Sequence, residues 1–350
     1  MKKGIFCMVF ILFAACLSGC ASKSSSGNGS LTVFNYSMYI DPSVLEKFTK
    51  ETGIEIRYEE ATTPEELYTK YSSKAISYDV LCTSDYMLKR LIDEGQAQSI
   101  DFSSMENFKN IDPEYLKLSE TFDPGNVYCV PYFYGTVGIL YNTKMVKEPV
   151  TGWDALFNGQ YSGQIIMQDS MRDSFMVALK YLGYSLNTMD ENEIREAADL
   201  LKKQKSEVDS YLVDEVRDEI VAENDIMGVI YSGEAHIGKE YNEDLAYIIP
   251  KEGSNLWIDS WMITKECKNK EAAEKFLDFL CREDIAKANF EYVCYSSPNM
   301  AVVESMDDQY KSDNAIFPPE ESVNNCEVYL ALDEKTTALY NELWKEIKAE

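Results

Sequence analysis

The 350-residue sequence predicts an α/β protein of two lobes with a ligand cleft between them and a hinge. Three observations lead there. From Leu31 to Gly95, short apolar runs with strand character alternate with helix signals, the pattern of a mostly parallel sheet covered by helices. The apolar run at 128–142 is long enough to leave one sheet and enter another. The alternation then resumes, and a second such run, at 257–263, offers a way back. Two lobes joined by several crossings form a cleft at their strand ends, and hinged closure is its natural motion.

Each element has a local reason. Leu31-Thr32-Val33-Phe34-Asn35-Tyr36 reads as a strand. Asp41-Pro42 supplies an N-cap and a first-turn proline, Val44, Leu45 and Phe48 form a buried stripe, and Gly53 ends the helix. Ile54, Ile56 and Tyr58 alternate as the next strand; a helix at 64–75, a strand at 78–83 and a helix up to Gly95 complete the first half. Beyond the crossover, which contains Gly135, strands are expected at 165–167, 226–231 and 245–249, with helices at 172–182 and 191–205. A long helical stretch is expected at 270–293 and a last helix at 334–348. The first lobe is expected to comprise 31–135, with 259–303 returning to it; the second comprises 136–258, with 304–350 returning.

The start of the chain sets the compartment. Met1-Lys2-Lys3, an apolar run at 4–16 and Leu17-Ser18-Gly19-Cys20 read as an export signal over 1–19, too short for a membrane span. Leu17-Ser18-Gly19-Cys20 resembles the bacterial lipobox, so Cys20 is expected to carry lipid and anchor the protein outside the cytoplasm. The Ser- and Gly-rich stretch up to residue 30 is a flexible tether. Cys82, Cys129, Cys267, Cys281, Cys294 and Cys326 show no metal spacing and sit mostly in apolar runs, as small buried hydrophobes do; no essential disulfide is expected. With 33 basic and 60 acidic residues the formal charge is −27, a field that disfavours nucleic acid and draws in small cations.

Several chemistries are missing. The sequence has no phosphate-binding glycine loop, no dinucleotide fingerprint, no zinc-protease motif and no nucleophile elbow, and its single histidine is His236. Neither a catalytic residue nor a cofactor or metal is assigned. Trp257-Ile258-Asp259 is more informative. Residues two apart on a strand share a face, so an indole and a carboxylate would converge on one wall, a combination suited to an ammonium ligand.

The chain resembles the spermidine/putrescine-binding proteins of bacterial polyamine importers, which have the type II periplasmic-binding-protein fold. The residues that carry the resemblance are the run from Phe34 to Tyr39, Ser84-Asp85-Tyr86, Pro131-Tyr132, the segment from Asp169 to Phe175, Pro250-Lys251-Glu252-Gly253, Trp257-Ile258-Asp259-Ser260 and Tyr295 with Ser297-Pro298-Asn299. The resemblance implies a cleft walled by Tyr36, Tyr39, Tyr86, Tyr231, Trp257 and Tyr295, with polar contacts from Ser37 and Ser84 and carboxylates at Asp173 and Asp259. It departs from the family at Ser170, where an acid is expected; Asp169 beside it is a substitute, although capping of the next helix by either residue competes with that role. Tyr329 falls where the family carries a glutamine. The partners implied are a polyamine and a membrane-embedded importer permease, with the protein itself a monomer. Alternatives are a polyamine sensor, a surface lipoprotein without a transport role, and a binding protein for another small solute.

Overall fold

The computed structural model describes residues 29–349; the export signal, Cys20 and nearly all of the tether lie outside the described residues. Strand β1 (Ser30–Tyr36) leads into α1 (Pro42–Thr52), where the Asp41 carboxylate accepts the Ser43 N–H and Gly53 closes the end in the left-handed region, φ 72°. There follow β2 (Glu55–Ala61), α2 (Pro64–Ser72), β3 (Val80–Thr83), α3 (Asp85–Asp93), β4 (Ala97–Gln98) and α4 (Pro113–Ser119). The crossover is one continuous strand, β5 (Cys129–Asn142), buried along its whole length. Beyond it come β6 (Ile165–Gln168), α5 (Met171–Leu182), α6 (Glu191–Gln204), β7 (Val208–Leu212), α7 (Val216–Val221), β8 (Met227–Tyr231), α8 (Ser232–Tyr241) and β9 (Leu245–Ile248). The chain ends with β10 (Leu256–Thr264), α9 (Lys270–Leu280), α10 (Glu283–Val293), α11 (Met300–Ser305), further short turns and a C-terminal helix (Glu334–Ala349).

The strand order β2-β1-β3-β10-β5-β8-β6-β7 runs through two lobes because β5 belongs to both. Its first half, Cys129 to Thr136, pairs antiparallel with β10; its second half pairs with β8 and β9. Each lobe is three-layered, with apolar side chains on both faces of its sheet. In the first lobe Phe48, Trp261, Phe276 and Phe290 fill one face and Phe34, Tyr71, Leu88 and Met262 the other. In the second, Trp153, Phe175, Leu201 and Tyr340 face Ile166, Ile220 and Ile230 across the sheet. Burial on both faces explains why β5, β6 and β8 read as unbroken apolar runs.

Three passages between lobes lie side by side. Val137 donates its N–H to the Asn255 carbonyl at 3.2 Å, Leu256 donates to the Glu327 carbonyl at 3.0 Å, and Glu327 donates back to Ser254 at 2.9 Å. The 257–263 run does not itself cross: it is the interior of β10, wholly within the first sheet between β3 and β5, and the change of lobe falls just ahead of it. Met306, Ile316 and Val328 pack in the first lobe, Ala315 between them packs in the second-lobe core with Ile220 and Ile230, and from Tyr329 onward the segment packs in the second lobe. The helical stretch expected at 270–293 consists of two helices, α9 and α10. Arg282 adopts an extended backbone (ψ 141°) and binds Glu51 and Asp284, while Glu283 and Asp284 occupy the positive end of α10. The strand β7 and the helices α4, α7 and α8 have no counterpart in the sequence reading.

Candidate functional site

The first lobe presents an aromatic wall around a buried carboxylate. Tyr36 ends β1, and the chain turns through exposed Ser37 and Met38, the latter with φ 58°, to bring Tyr39 back beneath it. Tyr39 donates its hydroxyl to Asp259 Oδ2 at 2.8 Å. Its ring lies edge-on to Tyr36 at 5.6 Å and to Tyr295 at 6.2 Å, and Tyr295 is edge-on to Trp257 at 5.0 Å. Trp257 is thus linked to Asp259 through the side chains of Tyr295 and Tyr39. The ladder between β10 and β5 shifts register between Asp259 and Ser260, the kind of irregularity that re-aims a side chain next to a site. Gly135 stands opposite Trp257, and a Cβ there would lie 2.3 Å from the indole, so only glycine lets the ring lie flat on β5.

Ser84 begins α3 without capping it through its hydroxyl, and its Oγ is buried without a partner among the described residues. Its N–H donates to the Tyr36 hydroxyl at 3.3 Å, which also bonds Thr83 Oγ1 at 2.8 Å. The Trp257 Nε1–H is likewise buried and unpartnered among the described residues.

In the second lobe Asp173 enters from the first turn of α5 and is buried. Its Oδ2 accepts the Tyr231 hydroxyl at 2.7 Å and its Oδ1 the Tyr329 hydroxyl at 2.9 Å. Tyr231 ends β8, and Tyr329 is the first second-lobe residue after the third passage, so three separate segments build this half. Arg172 sits over the Tyr329 ring with its guanidinium carbon 4.3 Å from the centroid. Tyr86 packs against the cores of both lobes and donates its hydroxyl to Glu65 at 2.8 Å. The nearby charge of Asp173 and the rings of Tyr295 and Tyr86 add to burial in holding the Tyr231 phenol neutral.

Asp169 and Ser170 are not drawn into this cluster. Asp169 is exposed and pairs with Lys348 of the C-terminal helix at 2.8 Å. The Ser170 hydroxyl accepts the Asp173 N–H at 3.4 Å as the N-cap of α5. Among the described residues no group of three or more His, Cys, Asp or Glu is placed to hold a metal, and the six cysteines described are free. His236, on α8, bonds Asp313 at 2.8 Å.

Burial sets the electrostatics. Desolvation pushes the Asp259 carboxyl up to about 7 against the opposing Tyr39 hydrogen bond. Asp85, the first residue of α3, was not singled out as a site residue, yet it is 1 % exposed and burial lifts it to about 8, helped by the charge of Asp259. Its only early signal was its place between Ser84 and Tyr86. Among the described residues no Lys, Arg or His forms an ion pair with Asp85, Asp173 or Asp259. The first lobe thus holds the buried carboxyls of Asp85 and Asp259 and the second that of Asp173, each accepting a hydrogen bond from a tyrosine.

Comparison with known proteins agrees with this architecture. The profile of the bacterial extracellular solute-binding protein family matches residues 43–318. The chain is 33 % identical over 333 residues to the spermidine/putrescine-binding periplasmic protein of Salmonella typhimurium, covering 95 % of each. It is 31 % identical to the putrescine-binding periplasmic protein SpuD of Pseudomonas aeruginosa, covering 100 % of this chain and 99 % of that one. Among solved structures it is similar to the spermidine/putrescine transporter substrate-binding protein PotD of Streptococcus pneumoniae, with a TM-score of 0.84, 38 % identity, and 92 % and 99 % of the two chains covered. The chain belongs to the bacterial extracellular solute-binding protein family, with the two-lobed type II periplasmic-binding-protein fold, and is a binding protein, not an enzyme.

Proposed function

We propose that this protein is a lipid-anchored extracytoplasmic receptor that captures a polyamine, spermidine or putrescine, and delivers it to an importer permease. What supports the reading most is a pair of buried, tyrosine-bonded carboxyls, one in each lobe: Asp259 on Tyr39 and Asp173 on Tyr231 and Tyr329. A linear diammonium needs a carboxylate at each end and apolar faces between. Each cation on a ring contributes about 0.5–2 kcal/mol, and an unpaired buried charge costs several, so the acids select for charge and the rings for shape. The names of the relatives support the same ligand class. Of the expected contacts, Tyr36, Tyr39, Ser84, Tyr86, Asp173, Tyr231, Trp257, Asp259, Tyr295 and Tyr329 form the binding set; Asp169 and Ser170 serve the fold. The lobes divide along the three passages at 136–137, 255–256 and 328–329.

Calorimetric titration of the mature protein with putrescine, spermidine and spermine tests the ligand class. Saturable binding of at least one, with none of an uncharged diol of equal length, is expected; equal binding of the diol would refute it. For the anchor, Cys20→Ala is expected to leave the protein unattached to membranes while it still binds ligand. Membrane retention of that variant would refute the lipid assignment.

A further inference from the structure

We propose that Asp85 and Asp259 act as one acid pair that holds a proton in the free receptor and releases it when the ligand's ammonium enters, so that capture is coupled to proton release. The inference rests on the polyamine reading and deepens it, with Asp85 as a positioning residue behind the contact residue Asp259.

The geometry is specific. The Asp85 carboxylate straddles two elements: Oδ1 accepts the Tyr86 N–H at 2.6 Å and Oδ2 the Ile258 N–H at 3.3 Å, one residue before Asp259. Asp85 thus fixes the start of α3 to the strand that carries Asp259. Both carboxyls are more than nine-tenths buried. Ser84 Oγ, adjacent in sequence, is buried and unpartnered among the described residues. The other titratable groups facing the pair are Tyr36, Tyr39 and Tyr295, Cys82 on β3, Tyr86 on α3 and Arg172 on α5. Burial keeps all four tyrosines and the thiol neutral through the physiological range. Arg172 is the one cation of the set; its charge opposes the rise of the Asp85 carboxyl without forming an ion pair with it, and its guanidinium donates to the carbonyl of Leu330 and to Asn187 Oδ1, both at 3.3 Å. Two buried carboxyls with no counter-ion cannot both ionise cheaply, and such a pair titrates as a unit.

The ligand changes that balance. An ammonium brings a full positive charge to Asp259, favouring its ionised form and cancelling the repulsion that Asp259 exerts on Asp85. The two N–H donors already aimed at Asp85 then hold its carboxylate. The carboxyl O–H bond breaks, the electron pair stays on oxygen and the proton leaves to solvent. Burial raises both carboxyls, to about 7 and about 8, so in the free protein the pair still holds a proton near neutral pH. The sign follows: raised carboxyl values in the free state mean that protons compete with the ligand, so affinity rises with pH through this window. Alkylamines of lysine type stay protonated throughout it.

The test is titration of the wild-type mature protein with putrescine at pH 7.5 in buffers of different ionisation enthalpy, together with affinities from pH 6 to 8.5. About one proton released per ligand is expected at pH 7.5, with affinity climbing by about tenfold per pH unit there and more steeply toward pH 6, where both carboxyls are protonated in the free protein. Asp85→Asn is expected to lose most of the proton release and to flatten the profile above pH 7. Infrared difference spectra of the wild type, which need no variant, should lose a protonated-carboxyl C=O band on adding putrescine. Tight binding with no proton release and no band change would overturn the coupling while leaving the polyamine reading standing, and so would undiminished release by folded Asp85→Asn. Absence of binding by any polyamine would instead overturn the reading on which the coupling rests.

Discussion

At the scale of single residues, Asp259 and Trp257 should differ in what they contribute. Asp259→Asn keeps the volume and removes the charge, leaving a bound ammonium without its counter-ion; a loss of about 2–5 kcal/mol of binding is expected. Trp257→Leu keeps an apolar contact and removes the π-face, so its cost should be about 0.5–2 kcal/mol plus any lost stacking area. Titration of the two folded variants with putrescine checks the order, and near wild-type affinity in Asp259→Asn would rule out a cationic ligand. Asp169→Asn should leave affinity unchanged, since that carboxylate faces Lys348 in solvent. Ser170→Ala should lower stability by about 0.5–2 kcal/mol through loss of the cap, read by denaturant unfolding, with little effect on affinity. Side-chain type and strand spacing pointed to Asp259, because a carboxylate beside an indole suits an amine, whereas Asp173 followed from the family resemblance. Burial could not be read so directly, and it separates Asp173, at 3 % exposure, from Asp169 four residues earlier on the surface.

At the scale of elements, the site depends on how β5 and β10 lie against each other. A Cβ at Gly135 would meet Trp257 Cζ2 at 2.3 Å and Ser232 Oγ at 2.9 Å, one on β10 and the other at the start of α8. Gly135→Ala is therefore expected to tilt the indole, destabilise the fold by about 1–3 kcal/mol and weaken putrescine binding about tenfold. Unfolding and titration of the same variant check both halves, and a purely structural loss with intact affinity would contradict the placement of Trp257 in the wall. The helix α1 was legible because its signals are local, Asp41-Pro42 at its start and Gly53 at its end; α2 begins at Pro64 in the same way, and the structure adds its cap, the Thr63 side chain accepting the Glu66 N–H. Elements whose definition rests on neighbours were not legible. β7 is half-exposed and is a strand only through its parallel pairing with β6, and α8 contains Gly233 and Gly238, which weaken its helix pattern.

At the scale of the molecule, the three adjacent passages give the lobes a narrow joint. The Lys180 ammonium is held by the Glu327 carboxylate and by the Asn325 carbonyl at 3.1 Å, and Ser185 bonds the same carboxylate, so the last passage is fastened to the second lobe. Gly253 turns beside it with φ 90°, and a Cβ there would meet the Asn325 carbonyl oxygen at 2.0 Å. Rotation is left to the few residues between these anchors and β10. Ligand should shift the population toward a closed form by as much as it bridges the two lobes. Small-angle scattering is expected to show a smaller radius of gyration with saturating polyamine, and an unchanged profile would indicate a receptor already closed.

The sequence by itself determined the alternation of strands and helices, the use of β5 by two lobes, and the residue types that a cation needs, because these depend on periodicity, capping and composition within short windows. Tertiary structure alone decided which carboxyls are buried, that Asp85 lies behind Asp259, that Tyr231 and Tyr329 meet on Asp173, and where the chain passes between lobes. Those facts depend on contacts between segments far apart in the chain, Tyr39 with Asp259 and Asp173 with Tyr329 among them, and desolvation acts only once those segments have closed around a charge.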